Sequence, residues 1–244
     1  MSERPPGAVW QRPELVGEFL DERQALLPLI DIQEDLIRRL FERRGHLVRR
    51  FLDVGSGDGA MSALLRSVAP LAEAVLVDFS EPMLAHAEQR LGPPAGRWQA
   101  VRADLSQPQW LEALPDGPYD AAISSLAIHH LPADRKRALF AELFSLLEPG
   151  GMFVNLDIVT IAGPLAGLFD EQMAANAIAA EHRHRGGRSD EEVERELLAG
   201  DEDDRPDSAA SQLQWLGEAG FAGVELHFKW AEGAIFGAVK PERS

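Results

Sequence analysis

Phe51-Leu52-Asp53-Val54-Gly55-Ser56-Gly57-Asp58-Gly59-Ala60 is the stretch whose reading decides the fold. Its apolar run, Phe51 to Val54, reads as a short buried strand, and Met61 to Arg66 reads as the start of a helix. The three glycines between them let a backbone turn sharply and approach a ligand closely, because glycine lacks a Cβ and tolerates positive φ. The helix start adds unpaired N–H groups and a partial positive charge. Two ligands suit such a loop. Gly55-x-Gly57-x-x-Ala60 fits the dinucleotide fingerprint with alanine in third place. Gly55-x-Gly57-x-Gly59, with Asp53 two residues upstream, is a different pattern. A carboxylate at a strand tip serves no purpose toward a pyrophosphate, but it complements the ammonium of an amino acid. The loop alone leaves both readings open.

Working outward, strands and helices alternate. Ala74 to Asp78 is a second buried strand ending in an acid, about twenty residues past the loop, where a carboxylate binds ribose hydroxyls. Phe79 follows, Ser80 is placed to cap the next helix with Pro82 in its first turn, and Met83 lies one turn in, suited either to an adenine face or to plain helix core. Trp98 to Ala103 is a third strand, closing on Asp104-Leu105. Tyr119 to Ser125 is a fourth, Pro132 to Leu147 a helix, Glu148-Pro149-Gly150-Gly151 a tight turn, and Met152 to Asp157 a fifth strand. This rhythm predicts a parallel sheet of doubly wound type, with its site at the carboxyl ends of the strands. Ser124, His129 and His130 fall at such an end. Ser124 is placed to hold part of the ligand. A histidine there suits a general base, because its pKa lies near neutrality, with Asp157 as a second candidate; the bland reading has both histidines merely holding the loop.

The glycine loop with Asp53 resembles motif I of the class I S-adenosylmethionine (SAM) methyltransferases, Tyr119 to Pro132 resembles motif IV of their small-molecule members, and Glu148 to Gly151 resembles their motif V turn. The resemblance covers about residues 45–160, with a looser likeness to carboxy-SAM synthase. It implies SAM as cofactor and S-adenosylhomocysteine (SAH) as product. Asp53, Gly55, Ser56 and Gly57 would then meet the methionine part, helped by Ser124. Asp78, Phe79 and Met83 would meet ribose and adenine, and Asp104 and Leu105 the adenine edge.

The flanks carry less chemistry. Residues 1–12 are proline-rich, and from about Glu14 to Arg44 the pattern is helical, interrupted by Pro28. This segment either packs on the sheet or covers the cleft. After Asp157 no strand is expected until Val224. Leu165 to Arg185 is helical, Ser189 and Glu192 form a capping box, and Ser208 to Ala219 is an amphipathic helix. Val224–Trp230 and Ala234–Lys240 alternate as an antiparallel hairpin. The expected architecture is therefore a Rossmann-like α/β sheet of seven strands, five parallel plus the hairpin, in a single domain: arm and helical cap (1–44), core (45–160), helical insertion (161–205) and terminal helix with hairpin (206–244). The acid-rich stretch Asp190 to Asp207 reads as solvated surface. His182 and His184 lie two apart on a helix, hence on different faces, so no metal site is expected there. Trp215, Phe228 and Trp230 read as core.

Composition bounds the function. With 244 residues and 45% hydrophobic content the chain can bury a full core. A net charge of −16 disfavours nucleic acid as partner, and no apolar run is long enough to span a membrane. Zero cysteines exclude disulfides and thiolate chemistry. The N-terminus lacks the apolar core of a secretory signal, so a cytoplasmic location is expected. The expected activity is SAM-dependent transfer of a methyl group to a small-molecule O, N or C nucleophile, with a homodimer compatible. An NAD(P)-binding oxidoreductase and a non-catalytic SAM or SAH binder remain alternatives.

Overall fold

Alternate residues of the central strands face opposite sides of one sheet, and helices cover both sides. The computed structural model describes residues 8–14, 16–17, 20, 27–43, 48–93, 97–164, 166–184, 186–198 and 204–242. The strands are β1 (Arg50–Val54), β2 (Glu73–Asp78), β3 (Trp98–Arg102), β4 (Tyr119–Ser125), β5 (Leu147–Ile158), β6 (Ala222–Trp230) and β7 (Gly233–Val239). The helices are α1 (Ile30–Glu42), α2 (Ala60–Val68), α3 (Glu81–Leu91), α4 (Ala133–Leu146), α5 (Leu168–His184), α6 (Asp190–Leu198) and α7 (Ala209–Glu218). The sheet order is β3-β2-β1-β4-β5-β7-β6. β1 to β5 run parallel, and β7 is antiparallel to both β5 and β6. The seven-stranded doubly wound sheet is the expected one. Among the described residues no helix is long and apolar enough to cross a membrane.

Period-two alternation produces two cores. Leu52, Val54, Val75, Val77, Ala122 and Phe153 face Leu139, Phe140 and Leu143 of α4. Phe51, Leu76, Ile123 and Val154 face Ile37 and Phe41 of α1 and Met61 and Leu65 of α2. Asp53 shares the face of Phe51, which turns its carboxylate toward α2. Trp215 packs on the first cluster, and Phe228 and Trp230 on the second, so all three serve the core reading.

Local signals set most boundaries. Ser80 caps α3 by accepting from Met83 N–H at 3.2 Å, with proline in the first turn. Ser189 and Glu192 exchange hydrogen bonds at the start of α6, 2.8 and 3.3 Å, as a capping box. Glu232, in the turn between β6 and β7, accepts from Gly167 N–H at 2.5 Å and Phe169 N–H at 2.8 Å, so a buried acid anchors the α5 N-terminus to the sheet.

One boundary differs. Glu148 to Gly151 is expected as a turn, but β5 begins at Leu147 and runs through it. The left-handed kink at Gly150, φ 80°, is absorbed as an irregularity in the β4–β5 ladder. Gly150 N–H donates to the Lys240 carbonyl, and Lys240 N–H to that of Gly151, both at 2.8 Å, so the chain beyond β7 supplies the pairing. Lys240 Nζ also donates to the carbonyls of Phe144 (2.8 Å) and Leu147 (2.7 Å), a cation at the α4 C-terminus. Of the expected helical stretch from about Glu14 to Arg44, residues 15, 18–19, 21–26 and 44 lie outside the described residues.

Phe153 is fully buried, its ring centre 5.8 Å from that of Phe140 and 6.4 Å from that of Phe221. Phe153→Ala is expected to cost about 3–5 kcal/mol of unfolding free energy, measured by urea denaturation.

Candidate functional site

The strand order reverses between β1 and β4, and the glycine loop leaves β1 at that point. Gly55 N–H and Ser56 N–H both donate to the Val77 carbonyl, at 2.8 and 3.0 Å, which fastens the loop to β2. Gly55, Gly57 and Gly59 have φ of 68°, 52° and 73°, all left-handed. The constraint differs along the loop. A Cβ on Gly55 would overlap the Ala127 side chain and reach Leu105 at 3.8 Å. On Gly57 it would meet only the Met83 sulfur, at 3.8 Å. The loop is thus clasped at its first glycine and open at its second. Leu105, Ala127 and Met83, from three separate segments, all converge on it.

Beneath the loop, Asp53 is 1% exposed and accepts from Ser62 Oγ of α2 at 2.6 Å. Its Oδ1 has no hydrogen-bond partner among the described residues, and neither does Ser56 Oγ. Burial, opposed by the Ser62 hydrogen bonds, raises the Asp53 carboxyl to about 7. Two orphaned polar atoms under a glycine loop are what a polar ligand with a positive group would satisfy.

At the tip of β2, Asp78 accepts from Gly57 N–H and Ser80 N–H, both at 2.8 Å. Each oxygen keeps capacity for a second donor. Burial raises its pKa, against the backbone donors and the nearby His130. Asp104 is exposed at the end of the neighbouring β3, next to Ala103, whose N–H donates to the Asp78 carbonyl at 3.0 Å. Asp104 Oδ1 accepts from Ser106 N–H at 2.8 Å, and the Leu105 carbonyl accepts from Arg135 Nε at 2.6 Å. Phe79 is half-buried; its carbonyl accepts from Gln11 Nε2 at 3.1 Å, and Ser80 Oγ donates to the Trp10 carbonyl. The N-terminal turn 8–11 therefore lies against the Asp78–Ser80 corner.

Across the switch point, Ser124 is buried and its hydroxyl donates to the Val54 carbonyl at 2.7 Å. It braces β4 to β1 through its proton, and its oxygen keeps acceptor capacity. Leu126 then takes φ 52°, an unfavourable value for a non-glycine residue, and this turn sets Ala127 against Gly55 and leads into His129 and His130. His129 is 4% exposed; its Nδ1 lies 2.5 Å from Asp157 Oδ1 at the end of β5, and its Nε2 3.3 Å from Asp204 Oδ1. His130 Nδ1 lies 2.9 Å from the same Asp204 oxygen, and the two rings are tilted by 47° with centres 4.0 Å apart. Burial opposes charge on His129, but Asp157 and Asp204 outweigh it and lift its pKa to about 9. The two histidines hold Asp204 well below the usual carboxylate range.

Asp204 is absent from the expected site residues, because acid runs are ordinarily solvated. The described part of that run departs from the rule. Lys136, fully buried in α4, donates to Asp207 Oδ2 at 2.7 Å and to the Arg205 carbonyl, while Arg205 N–H donates to the His129 carbonyl at 2.9 Å. These contacts pull residues 204–207 onto the sheet end. Asp201 to Asp203 lie outside the described residues. His182 is exposed and pairs with Asp190 at 2.7 Å, away from this cluster; the side chain of His184 is not among those described.

A seven-stranded sheet in this order, with a glycine loop at its switch point, is the fold of the class I, SAM-dependent methyltransferases. The human N-acetylserotonin methyltransferase solved with SAM shares it, with a TM-score of 0.57 at 14% identity over 96% of this chain and 58% of that one. Residues 51–151 match the methyltransferase domain family. The demethylmenaquinone methyltransferase of Thermus thermophilus is 36% identical over 110 residues, 45% of this chain and 47% of the relative. The carboxy-S-adenosyl-L-methionine synthase of Chromohalobacter salexigens is 27% identical over 194 residues, 77% of this chain and 67% of the relative. The chain spans about half the length of the curated methyltransferases it matches.

The unequal surroundings of the glycines give a direct check. Gly57→Ala should cost only the left-handed strain, about 1–2 kcal/mol. Gly55→Ala adds the overlap with Ala127 and should be clearly more destabilising in parallel urea titrations.

Proposed function

We propose that the chain binds SAM and transfers its methyl group to a small-molecule oxygen, nitrogen or carbon nucleophile. The observation that carries this reading is the unpartnered, buried Oδ1 of Asp53 under the glycine loop. A carboxylate there repels a pyrophosphate and attracts an ammonium, which favours SAM over the dinucleotide that the loop also allows. The methyltransferase domain match over the same residues agrees.

Each element has a part in holding the cofactor. Asp53 and Ser56 would take the methionine ammonium and carboxylate end, with Gly55 and Gly57 giving the backbone room. Asp78, held by two backbone N–H groups, would receive the ribose hydroxyls, and Met83 and Phe79 flank that corner. Asp104 and Leu105, one strand over, would meet the adenine edge. The 8–11 turn against Phe79 and Ser80 would exclude water there. Bound SAM supplies a methyl group activated by its positive sulfonium. The protein's contribution is alignment of the acceptor in a dry cleft. The acceptor side is the His129–His130 end of β4. Asp157 and Asp204 lift the His129 pKa to about 9, so at neutral pH a proton sits there unless another positive group displaces it. The net charge of −16 favours a small acceptor over nucleic acid.

Titration calorimetry with SAH, SAM and NAD tests the assignment; binding of NAD alone overturns it. Asp78→Ala should weaken SAH about tenfold or more, that is about 1.4 kcal/mol or above. The Asp53 carboxyl is raised to about 7, so its protonated form is favoured by the fold. Its contribution to stability is therefore complete below about pH 4 and is lost as pH rises through 7. Ammonium binding needs the ionised form and runs the other way. SAH affinity should rise with pH through about 7 and level off above, and Asp53→Asn should bind more weakly with that rise abolished.

A further inference from the structure

His129, His130 and Asp204 present three ligand-type atoms, one from each residue, all within 4.8 Å of one another. We propose that His129 Nε2, His130 Nδ1 and Asp204 Oδ1 form a binding site for a divalent first-row transition cation at the acceptor end of the cleft.

Both spacings from the Asp204 oxygen fit coordination, and the two histidine atoms lie within 4.8 Å of each other. Ligand atoms about 2.1 Å from a common ion, at tetrahedral or octahedral angles, stand about 3.0–3.4 Å apart. Asp204 Oδ1 lies 2.9 Å from His130 Nδ1 and 3.3 Å from His129 Nε2. Hydrogen bonding does not account for the contact as well. His130 Nδ1 and Asp204 Oδ1 are at ion-pair separation, yet both are shielded from water and neither is aligned as donor or acceptor.

The surroundings supply what such a site needs. His129 Nδ1 is bound at 2.5 Å by Asp157 Oδ1, which itself accepts from Ile158 N–H at 3.0 Å, while the other Asp157 oxygen accepts from Asn155 Nδ2 at 3.3 Å. A carboxylate on the far nitrogen is the arrangement that orients a ligating imidazole and raises its basicity. Asp204 is delivered by contacts that do not involve its own side chain: Lys136 with Asp207 and the Arg205 carbonyl, and Arg205 N–H with the His129 carbonyl. Two imidazoles and one carboxylate suit zinc, iron, cobalt or nickel over magnesium or calcium. Three protein ligands leave coordination positions open. An acceptor with a ligating oxygen, such as a hydroxyl or enol, fits those positions; on binding it would lose its proton to water at a lowered pKa. That role rests on the methyl-transfer reading, whereas the site itself does not.

Chelator-stripped protein is titrated with Co2+, read by calorimetry and by the visible bands of bound cobalt. One equivalent is expected, displaced by Zn2+. His129→Ala and Asp204→Ala should each weaken binding about 100-fold or more, and Asp157→Asn about 10–100-fold through the lost orientation. His182→Ala, on the exposed face of α5, should leave it unchanged. SAH binding by each variant reports folding; where His129→Ala does not fold, His130→Gln carries the same expectation. Absence of stoichiometric Co2+ binding by the parent overturns the site, as does undiminished binding in folded His129→Ala and Asp204→Ala, which would leave an ion-pair cluster only. Cobalt bound without SAH affinity would instead overturn the methyltransferase reading and leave the site standing.

Discussion

The Gly57 amide donates to the Asp78 carboxylate, and that hydrogen bond joins the loop after β1 to the tip of β2. Most of the site depends on it. It holds a buried carboxylate in place, and it sets the second glycine beside Met83 with no side chain between them. The Val77 carbonyl, accepting from both Gly55 and Ser56, fixes the other flank of the turn. A rigid loop of this kind keeps its open face available without spending ordering entropy when a ligand arrives. Ala127 at Gly55 then ties the same loop to the segment that presents the histidines.

Buried charge is the second organising feature. Lys136, His129 and Asp157 are almost fully removed from water, and each is paired. Taking such groups out of water is costly, and replacing them with apolar residues would often serve stability as well. Their value here is positional. Lys136 and Asp207 bring an acidic segment from beyond the fifth strand back over the end of the fourth. Without that pairing Asp204 would belong to a solvated run, as its neighbours in the sequence suggest. The pairing therefore turns a surface segment into a wall over the carboxyl end of β4.

Much of the frame is legible in the residues. Ser80 with Pro82, and Ser189 with Glu192, mark helix starts because a capping hydroxyl or carboxylate acts over three residues. The strands Phe51–Val54 and Ala74–Asp78 are legible because apolar runs ending in glycine or acid have few other uses in an α/β fold. Asp53, Asp78, Asp104 and the two histidines all lie at the carboxyl edge where they are expected. The readings that shift are those that depend on partners remote in sequence. Glu148 to Gly151 looks like a turn until Lys240 supplies its ladder. Ser124 gives its hydroxyl proton to the Val54 carbonyl, which leaves only its acceptor side for a ligand.

By itself the sequence determined the alternation of strands and helices, the glycine loop and the row of acids at strand ends, because these rest on local geometry and on the hydrophobic period. Only the tertiary structure decided which polar groups remain unsatisfied. Asp53 keeps an orphaned oxygen because Ser62 reaches just one side of it. Asp204 meets His129 and His130 across some 75 residues because Lys136 and Asp207 close the path between them. Hydrogen-bond satisfaction is a property of neighbours in space, and no run of residues states who those neighbours are.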